Sequence, residues 1–229
     1  LYKSLGSRFY VLLMSGEIVI LVILIEALIV AICLLIIPLI LITRRIQKPN
    51  ISQIVYFWGL GTGFMFVELY FIKSFILLVG DPVISFTMVV SAILIFTSLG
   101  GLWVHNKSGQ DIRSAMAALI GMLILTVVSF ELLAAHILKV SATLRYFMAI
   151  LFLLPIGFLM GLPFPLGMRH ILNSPVQRAY AWSVNGCASV LSSVVAAQLA
   201  VSFGIPLIAA GAVFFYFLAM VAAGKGAQG

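Results

Sequence analysis

Charged side chains are scarce in this sequence. Asp, Glu, Lys and Arg supply 8% of its 229 residues, whereas they supply about a quarter of an ordinary soluble domain. Apolar residues supply 64%, and the mean hydropathy is +1.27. This balance leaves no room for a sizeable soluble domain. It predicts an all-α, polytopic transmembrane helix bundle.

Residue patterns that hold metals, haem or nucleotides are also missing. The chain has three histidines and two cysteines, without the spacing of a zinc site or a facing pair for haem. It has no serine elbow, no phosphate loop and no pair of carboxylates at short spacing. The glycines of WGLGTGF lie in an apolar helix rather than after a strand, which excludes a dinucleotide fingerprint. We therefore expect no catalytic residue, cofactor or metal, and we expect Cys33 and Cys187 to be packing residues.

Apolar runs predict about seven membrane spans, since a spanning helix needs roughly 20 mostly apolar residues. They lie at about 17–42, 53–79, 83–104, 114–138, 146–168, 180–203 and 206–223. Three domains follow: an interfacial or truncated N-terminal segment, the transmembrane domain and a flexible tail, at 1–16, 17–223 and 224–229.

Basic residues in the short flanks of the spans predict the orientation. The richer side holds Arg44, Arg45, Lys48, Lys107, Arg113, Arg169, Arg178 and Lys225, and the other side holds Lys3, Arg8, Lys139 and Arg145. We place the richer side in the cytoplasm, with the chain in a bacterial inner membrane and its N-terminus outside. The net charge of +7 then reflects orientation and anionic headgroups rather than nucleic-acid binding.

The stretch 58–82 is expected to lie at the centre of the bundle. It carries Glu68 near its middle and Lys73 just beyond, and a charge at that depth costs at least about 2.5–3.5 kcal/mol unless it faces protein or water. Gly59 and Gly63 share one helical face, a spacing that lets two membrane helices approach closely. Glu68 is then either a buried packing residue or part of a binding or transport site.

The fifth span contains three prolines and two glycines that interrupt a helix. Each of Pro155, Pro163 and Pro165 removes a hydrogen-bond donor, and Gly157 and Gly161 lie between them. We therefore predict a kink or break within the bilayer. Such backbone is tolerated only where protein or a water-filled cavity surrounds it.

The sixth span carries small residues at helical spacing and one amide. Gly186, Ser189 and Ser193 predict a face that packs tightly on another helix. Asn185 lies just inside the span, and it is a candidate partner for Glu68 together with Ser189. The predicted break is expected to lie against this face or against the face of Gly59 and Gly63.

Four stretches, 56–75, 77–102, 161–169 and 181–204, resemble a known family when they are taken together. Their motifs are GxGFMxxE, GLPFPLG and WxxNGCASV, and their order is similar to that of the C-terminal membrane region of bacterial membrane-bound spermidine synthase-like proteins. In that family, a soluble aminopropyltransferase-like domain is fused to membrane helices.

The resemblance implies a membrane module that anchors or serves a soluble domain or partner. The cofactor- and amine-binding acidic residues of the family belong to the soluble domain, so these residues alone are not expected to transfer aminopropyl groups. A start at Leu1 rather than Met suits a fragment of such a fusion, a split gene product or a processed subunit. Two alternatives stay open, an accessory subunit of a larger membrane complex and a cation or polyamine transporter.

Overall fold

A computed structural model describes residues 16–31, 50–106 and 111–226, and these residues form helices without any strand. In chain order the helices are α1 (Gly16–Ala31), α2 (Ile51–Val79), α3 (Pro82–Asn106), α4 (Ile112–Ile137), α5 (Ala142–Met160), α6 (Pro163–His170), α7 (Pro175–Phe203) and α8 (Ile205–Gly226). By length and composition, six stretches can cross a membrane: α2, α3, α4, α5 with α6, α7 and α8. The predicted all-α polytopic bundle is confirmed.

The predicted spans match these helices to within a few residues. The largest differences are at α7, which begins five residues before the predicted 180, and at α5, which begins four residues before the predicted 146. The first predicted span starts with α1, but its remainder at 32–42 lies outside the described residues, as do Cys33, Arg44 and Lys107.

Helix α2 is the centre of the bundle, as 58–82 was predicted to be. It contacts α3, α5, α6, α7 and α8. Its buried rings supply much of the core, namely those of Tyr56, Phe57, Phe66, Tyr70, Phe71 and Phe75. The helix ends at Gly80, whose φ of 83° favours glycine. Asp81 then caps α3, because its carboxylate accepts from the backbone N–H groups of Val83 and Ile84 at 2.8 and 2.9 Å.

Glycines let α2 and α8 approach each other closely. A Cβ atom at Gly59 would lie 2.8 Å from the carbonyl oxygen of Phe215, and one at Gly63 would lie 3.1 Å from the ring of Tyr216. On the other side of the interface, Gly211 faces the ring of Phe66. The helix-packing residues Gly59 and Gly63 therefore lie against α8.

The predicted break in the fifth span is confirmed. Helix α5 includes Pro155 and ends at Met160, and α6 begins at Pro163. The N–H of Gly161 turns back to the carbonyl oxygens of Gly157 and Phe158, at 3.3 and 3.1 Å. Because prolines at 163 and 165 have no N–H, they cannot continue the hydrogen bonds of α5, but they are tolerated in the first turn of a new helix, α6.

The expected neighbour of the break was wrong. Glycines of the break lie against α3: Gly157 faces the side chain of Phe96, and a Cβ atom at Gly161 would overlap the carbonyl oxygen of Thr97. In return, Gly100 of α3 lies against the carbonyl of Phe158. The face of Gly59 and Gly63, which was one of the two predicted neighbours of the break, packs against α8 instead.

Of the predicted stripe on α7, Ser189 contacts α2, whereas Gly186 and Ser193 do not form the predicted close contact. No described residue lies within 4 Å of a Cβ atom built at Gly186, and the Ser193 hydroxyl donates within its own helix to Val190. The close contact is made by Ala188, whose Cβ would lie 3.1 Å from one at Gly61. The buried line on α7 is Ala181, Ala188, Ser192 and Ala196. Hydrogen bonds from Asn185 and Ser189 to α2, described below, fix this register.

At the end of the bundle away from the break, the side chain of Arg145 connects three helices. The guanidinium of Arg145, in the first turn of α5, donates to the carbonyl oxygens of Leu78, Leu138 and Val140 at 2.9, 3.1 and 3.2 Å. These carbonyls lie at or just past the C-terminal ends of α2 and α4, which leave carbonyls without helical partners. Arg145 therefore binds two helix ends to the start of a third.

Candidate functional site

A cleft of about 580 Å³ lies beside the helix break. This volume is within the range of about 300–1,000 Å³ that is typical of small-molecule sites. Its described lining residues come from α2, α3, α5, α6, α7, α8 and the α5–α6 junction: Leu60, Phe64, Met65, Leu94, Thr97, Ser98, Met160, Gly161, Pro163, Phe164, Pro165, Trp182, Asn185, Ser189 and Tyr216. We call this space the break cleft.

The break cleft opens sideways between α3 and α7. Helix α2 contacts both of them, whereas α3 and α7 do not pack on each other over any extended stretch. At the rims, the side chains of Leu94 and Trp182 are 54% and 62% exposed. Trp182 is held against Phe164 of α6 with ring centroids 4.7 Å apart. Among the described residues nothing covers this opening, so in a bilayer it would face lipid.

Helix α6 is held on α2 by two side chains that donate to backbone carbonyls. The Tyr56 hydroxyl donates to the carbonyl oxygen of Pro163 at 2.6 Å, and the Gln53 amide donates to that of Ile171 at 2.9 Å. The Gln53 oxygen accepts from the N–H of Asn50, at the start of α2, at 3.0 Å. Non-helical backbone at membrane depth needs such packing in protein.

Helix α7 is held on α2 in the same way. The Asn185 amide donates to the carbonyl oxygen of Phe57 at 3.1 Å. The Ser189 hydroxyl lies 3.4 Å from the carbonyl oxygen of Gly61 and 3.0 Å from that of Asn185. These contacts join the motif WxxNGCASV of α7 to the part of α2 that contains GxGFMxxE.

Three of the four hydroxyl groups among the described lining residues of the break cleft already donate to backbone carbonyls, and the fourth is that of Tyr216. Thr97 donates to the carbonyl oxygen of Ile93 at 2.7 Å, and Ser98 to that of Leu94 at 2.6 Å. Ser189 likewise donates to the backbone. A hydroxyl has one proton and two lone pairs, so these groups can still accept hydrogen bonds but not donate further ones. The cleft therefore favours ligands that donate.

Glu68 and Lys73 lie apart from this cleft. Glu68 is half-buried on α2, two helical turns beyond Gly61, and neither it nor Lys73 lines the cleft. Within the part of the chain that the structure describes, neither side chain forms a hydrogen bond or an ion pair. The donors proposed for Glu68, Asn185 and Ser189, reach backbone carbonyls instead.

Three residues of the cleft were missed by the sequence reasoning. Thr97 and Ser98 are two adjacent polar residues just before the glycines of α3. Because the span is otherwise apolar, this pair could have indicated a polar site. Tyr216 is the one tyrosine in the predicted last span. That span gave no other polar signal, so the position of Tyr216 in the cleft follows only from the packing of α8 on α2.

The six apolar stretches make this an integral, multi-pass membrane protein. Among the described residues, no three His, Cys, Asp or Glu side chains are grouped so that they could hold a metal ion, and Cys187 is a buried free thiol. Comparisons of the chain with family models, with curated proteins and with solved structures found no match.

Proposed function

We propose that the chain is the membrane module of a spermidine synthase-like protein, and that it holds a soluble domain or partner at the membrane. One observation carries this proposal. The four stretches on which the resemblance depends, 56–75, 77–102, 161–169 and 181–204, all contribute residues to the break cleft. Motifs that are far apart in the sequence thus belong to one structural unit.

Direct contacts between the motifs support the same reading. The first stretch bonds the third through Tyr56 and Pro163, and it bonds the fourth through Phe57 and Asn185. The second stretch packs on the third where Gly161 meets Thr97. All four stretches are thus joined by direct contacts, as we would expect of a rigid anchor.

Charge indicates the end of the bundle that faces a soluble partner. Arg113, Arg169 and Arg178 are exposed at the end where α2 and α7 begin and α6 ends. Lysine and arginine accumulate on the cytoplasmic side of membrane proteins. We place this end, and the attached enzyme domain, in the cytoplasm of a bacterial inner membrane.

The cleft gives no support to the alternative of a polyamine transporter. A polycation pathway needs carboxylates along its walls, because intramembrane charges are stable only when they are paired or hydrated. No charged side chain is present among the described lining residues of the cleft, and Glu68 lies outside it. The other alternative is an accessory subunit of a larger membrane complex. It differs from our proposal because its partners would be membrane subunits rather than a soluble enzyme domain.

Purification from native membranes in a mild detergent tests the proposal. We expect a soluble aminopropyltransferase-like domain to copurify in a one-to-one ratio, or to be part of the same polypeptide. Arg178→Glu at the basic end should weaken a non-covalent association, and the matched change Lys139→Glu at the opposite end should not. Recovery of membrane subunits alone, or of the chain alone, would contradict the proposal.

Orientation has a separate test in intact cells. Single cysteines at Arg169 and at Lys139 would be introduced after Cys33 and Cys187 are replaced by alanine. An impermeant thiol reagent should label the position at 139 and leave the position at 169 unlabelled until the cells are opened. The reverse pattern would invert the proposed topology.

A further inference from the structure

Unpaired polar groups lie at the break cleft beside its apolar walls. Because Pro165 has no N–H, it cannot bond the carbonyl of Gly161, and no described residue donates to the carbonyl oxygens of Met160 or Gly161. An unpaired polar group within a membrane is costly, because lipid tails offer no hydrogen bonds. Both residues line the cleft.

Tyr216 adds a second unpaired group on the opposite wall. Its side chain is 2% exposed and lines the cleft, and its hydroxyl forms no hydrogen bond with any described residue. A buried tyrosine hydroxyl usually has a hydrogen-bond partner. An occupant of the cleft would supply that partner.

The remaining walls set the size and charge of the occupant. Leu60, Phe64 and Met65 of α2 and Leu94 of α3 form apolar surface that suits hydrocarbon. No charged side chain among the described lining residues would balance a phosphate or an ammonium group. In the part of the chain that the structure describes, the cleft is open laterally between α3 and α7, so we expect the occupant to come from the bilayer.

We propose that the break cleft binds an uncharged membrane lipid with a hydroxyl headgroup, of the diacylglycerol type. Its hydroxyl has one proton, which it would donate to one oxygen atom of the break, of Ser98 or of Ser189, and it would accept from Tyr216, while an acyl chain lies against α2. This inference does not depend on the proposed anchoring function. Water is the other occupant that would satisfy the polar groups, and the experiment separates the two.

A photoactivatable diacylglycerol, with a diazirine in one acyl chain, is the probe. The purified chain would be placed in phosphatidylcholine nanodiscs and labelled, with unlabelled diacylglycerol or phosphatidylglycerol of the same chain length as competitor. We expect labelled peptides from the lining of the cleft, and competition by diacylglycerol at a concentration at least about tenfold lower than by phosphatidylglycerol.

Two pairs of variants test the position of the lipid. Ser98→Trp fills the mouth of the cleft and should lower labelling at least about tenfold, whereas Leu99→Trp, on the neighbouring lipid-facing position, should change it less than about twofold. Tyr216→Phe removes only the hydroxyl and should weaken competition about threefold to tenfold, as expected for one hydrogen bond. Tyr146→Phe, which lies outside the cleft, is its control.

Outcomes that overturn the inference are distinct from loss of folding. Size-exclusion profiles and circular dichroism identify variants that do not fold, and Tyr216→Phe changes too little volume to be mistaken for one. Labelling spread evenly over the lipid-facing surface, equal competition by both lipids, or labelling unchanged in Ser98→Trp and Tyr216→Phe would each refute a lipid site. Such results would leave water as the occupant.

Discussion

The two halves of the bundle are held together by different interactions. In the half that contains the break, side chains of α2 and α7 donate to backbone carbonyls, as Tyr56, Gln53 and Asn185 do. In the other half, aromatic rings pack on one another between α2, α4 and α5. Phe75 stacks on Phe130 with centroids 5.7 Å apart, and Phe130 meets Phe152 edge-on at 6.3 Å.

This difference follows from where the prolines lie. Regular helices satisfy their own backbone groups, so the aromatic half needs side-chain donors only at its helix ends, where Arg145 supplies them. Prolines at 163 and 165 remove two donors in the other half, and α6 is attached to α2 there through side chains that donate to the carbonyl oxygens of Pro163 and Ile171. Two polar side chains of α2, those of Gln53 and Tyr56, lie opposite α6, and changes in the two halves should differ in kind.

The largest effect is expected where a side chain would enter the backbone contact at the break. In Gly161→Ala, the added methyl group overlaps the carbonyl of Thr97. Overpacking costs about 1–3 kcal/mol of unfolding free energy, and we expect the upper end here because the contacted atom belongs to the backbone. The matched change Gly121→Ala, where no described residue lies within 4 Å, should instead stabilise the helix by about 0.5–1 kcal/mol. Unfolding in mixed detergent micelles measures both, and equal midpoints would contradict the packing described for the break.

A smaller effect is expected at the end with the arginine contact. Arg145→Met removes three hydrogen bonds to carbonyls at the helix ends. We expect a loss of about 2 kcal/mol, because bonds to a charged group contribute about 1.5–3 kcal/mol each and water can replace part of them at the membrane surface. Arg145→Lys keeps the charge without the planar fork and should recover only part of the loss. An unfolding midpoint unchanged in Arg145→Met would show that the contact contributes no stability.

Tyr56→Phe removes a single hydrogen bond in the half with the break. Its expected cost is about 1 kcal/mol, since the side chain stays buried and only the bond to Pro163 is lost. Tyr146→Phe is the control, because Tyr146 forms no hydrogen bond with the described residues. The same detergent unfolding assay applies, and an equal shift in both variants would contradict a specific role for the bond.

The smallest effect is expected at Glu68. Glu68→Gln keeps the shape and the hydrogen-bonding capacity of the side chain, so the unfolding midpoint should move by less than about 0.5 kcal/mol equivalent. If Glu68 binds a cation, this variant should fold normally and lose binding or coupled activity. Glu68→Leu with normal folding and full function would remove Glu68 from the candidate site.

Much of the fold could be predicted from the sequence because membrane spans depend on local composition. Each described span is a long apolar run, and the break follows from Pro163 and Pro165 alone. The turn at Gly80 and Asp81 was also predictable, since these residue types favour it. All of these features depend on a few neighbouring residues.

The contacts between helices were less predictable, because they depend on helix rotation. Gly186 and Ser189 have the spacing of a packing stripe, yet the amide of Asn185 turns α7 so that Ala188 meets Gly61. Glu68 was the most conspicuous polar residue of the chain. The cleft was instead formed by less conspicuous hydroxyl groups, such as Thr97 and Tyr216, which only the three-dimensional packing brings together.

Hydrogen exchange by mass spectrometry in nanodiscs tests the central claim most directly, namely that side-chain bonds to carbonyls hold the broken backbone in place. In Tyr56→Phe, we predict faster deuterium uptake at residues 161–171 than in the unmodified chain, with uptake at 71–79 and 130–137 unchanged. Uptake that rises equally in both halves, or in neither, would contradict the account.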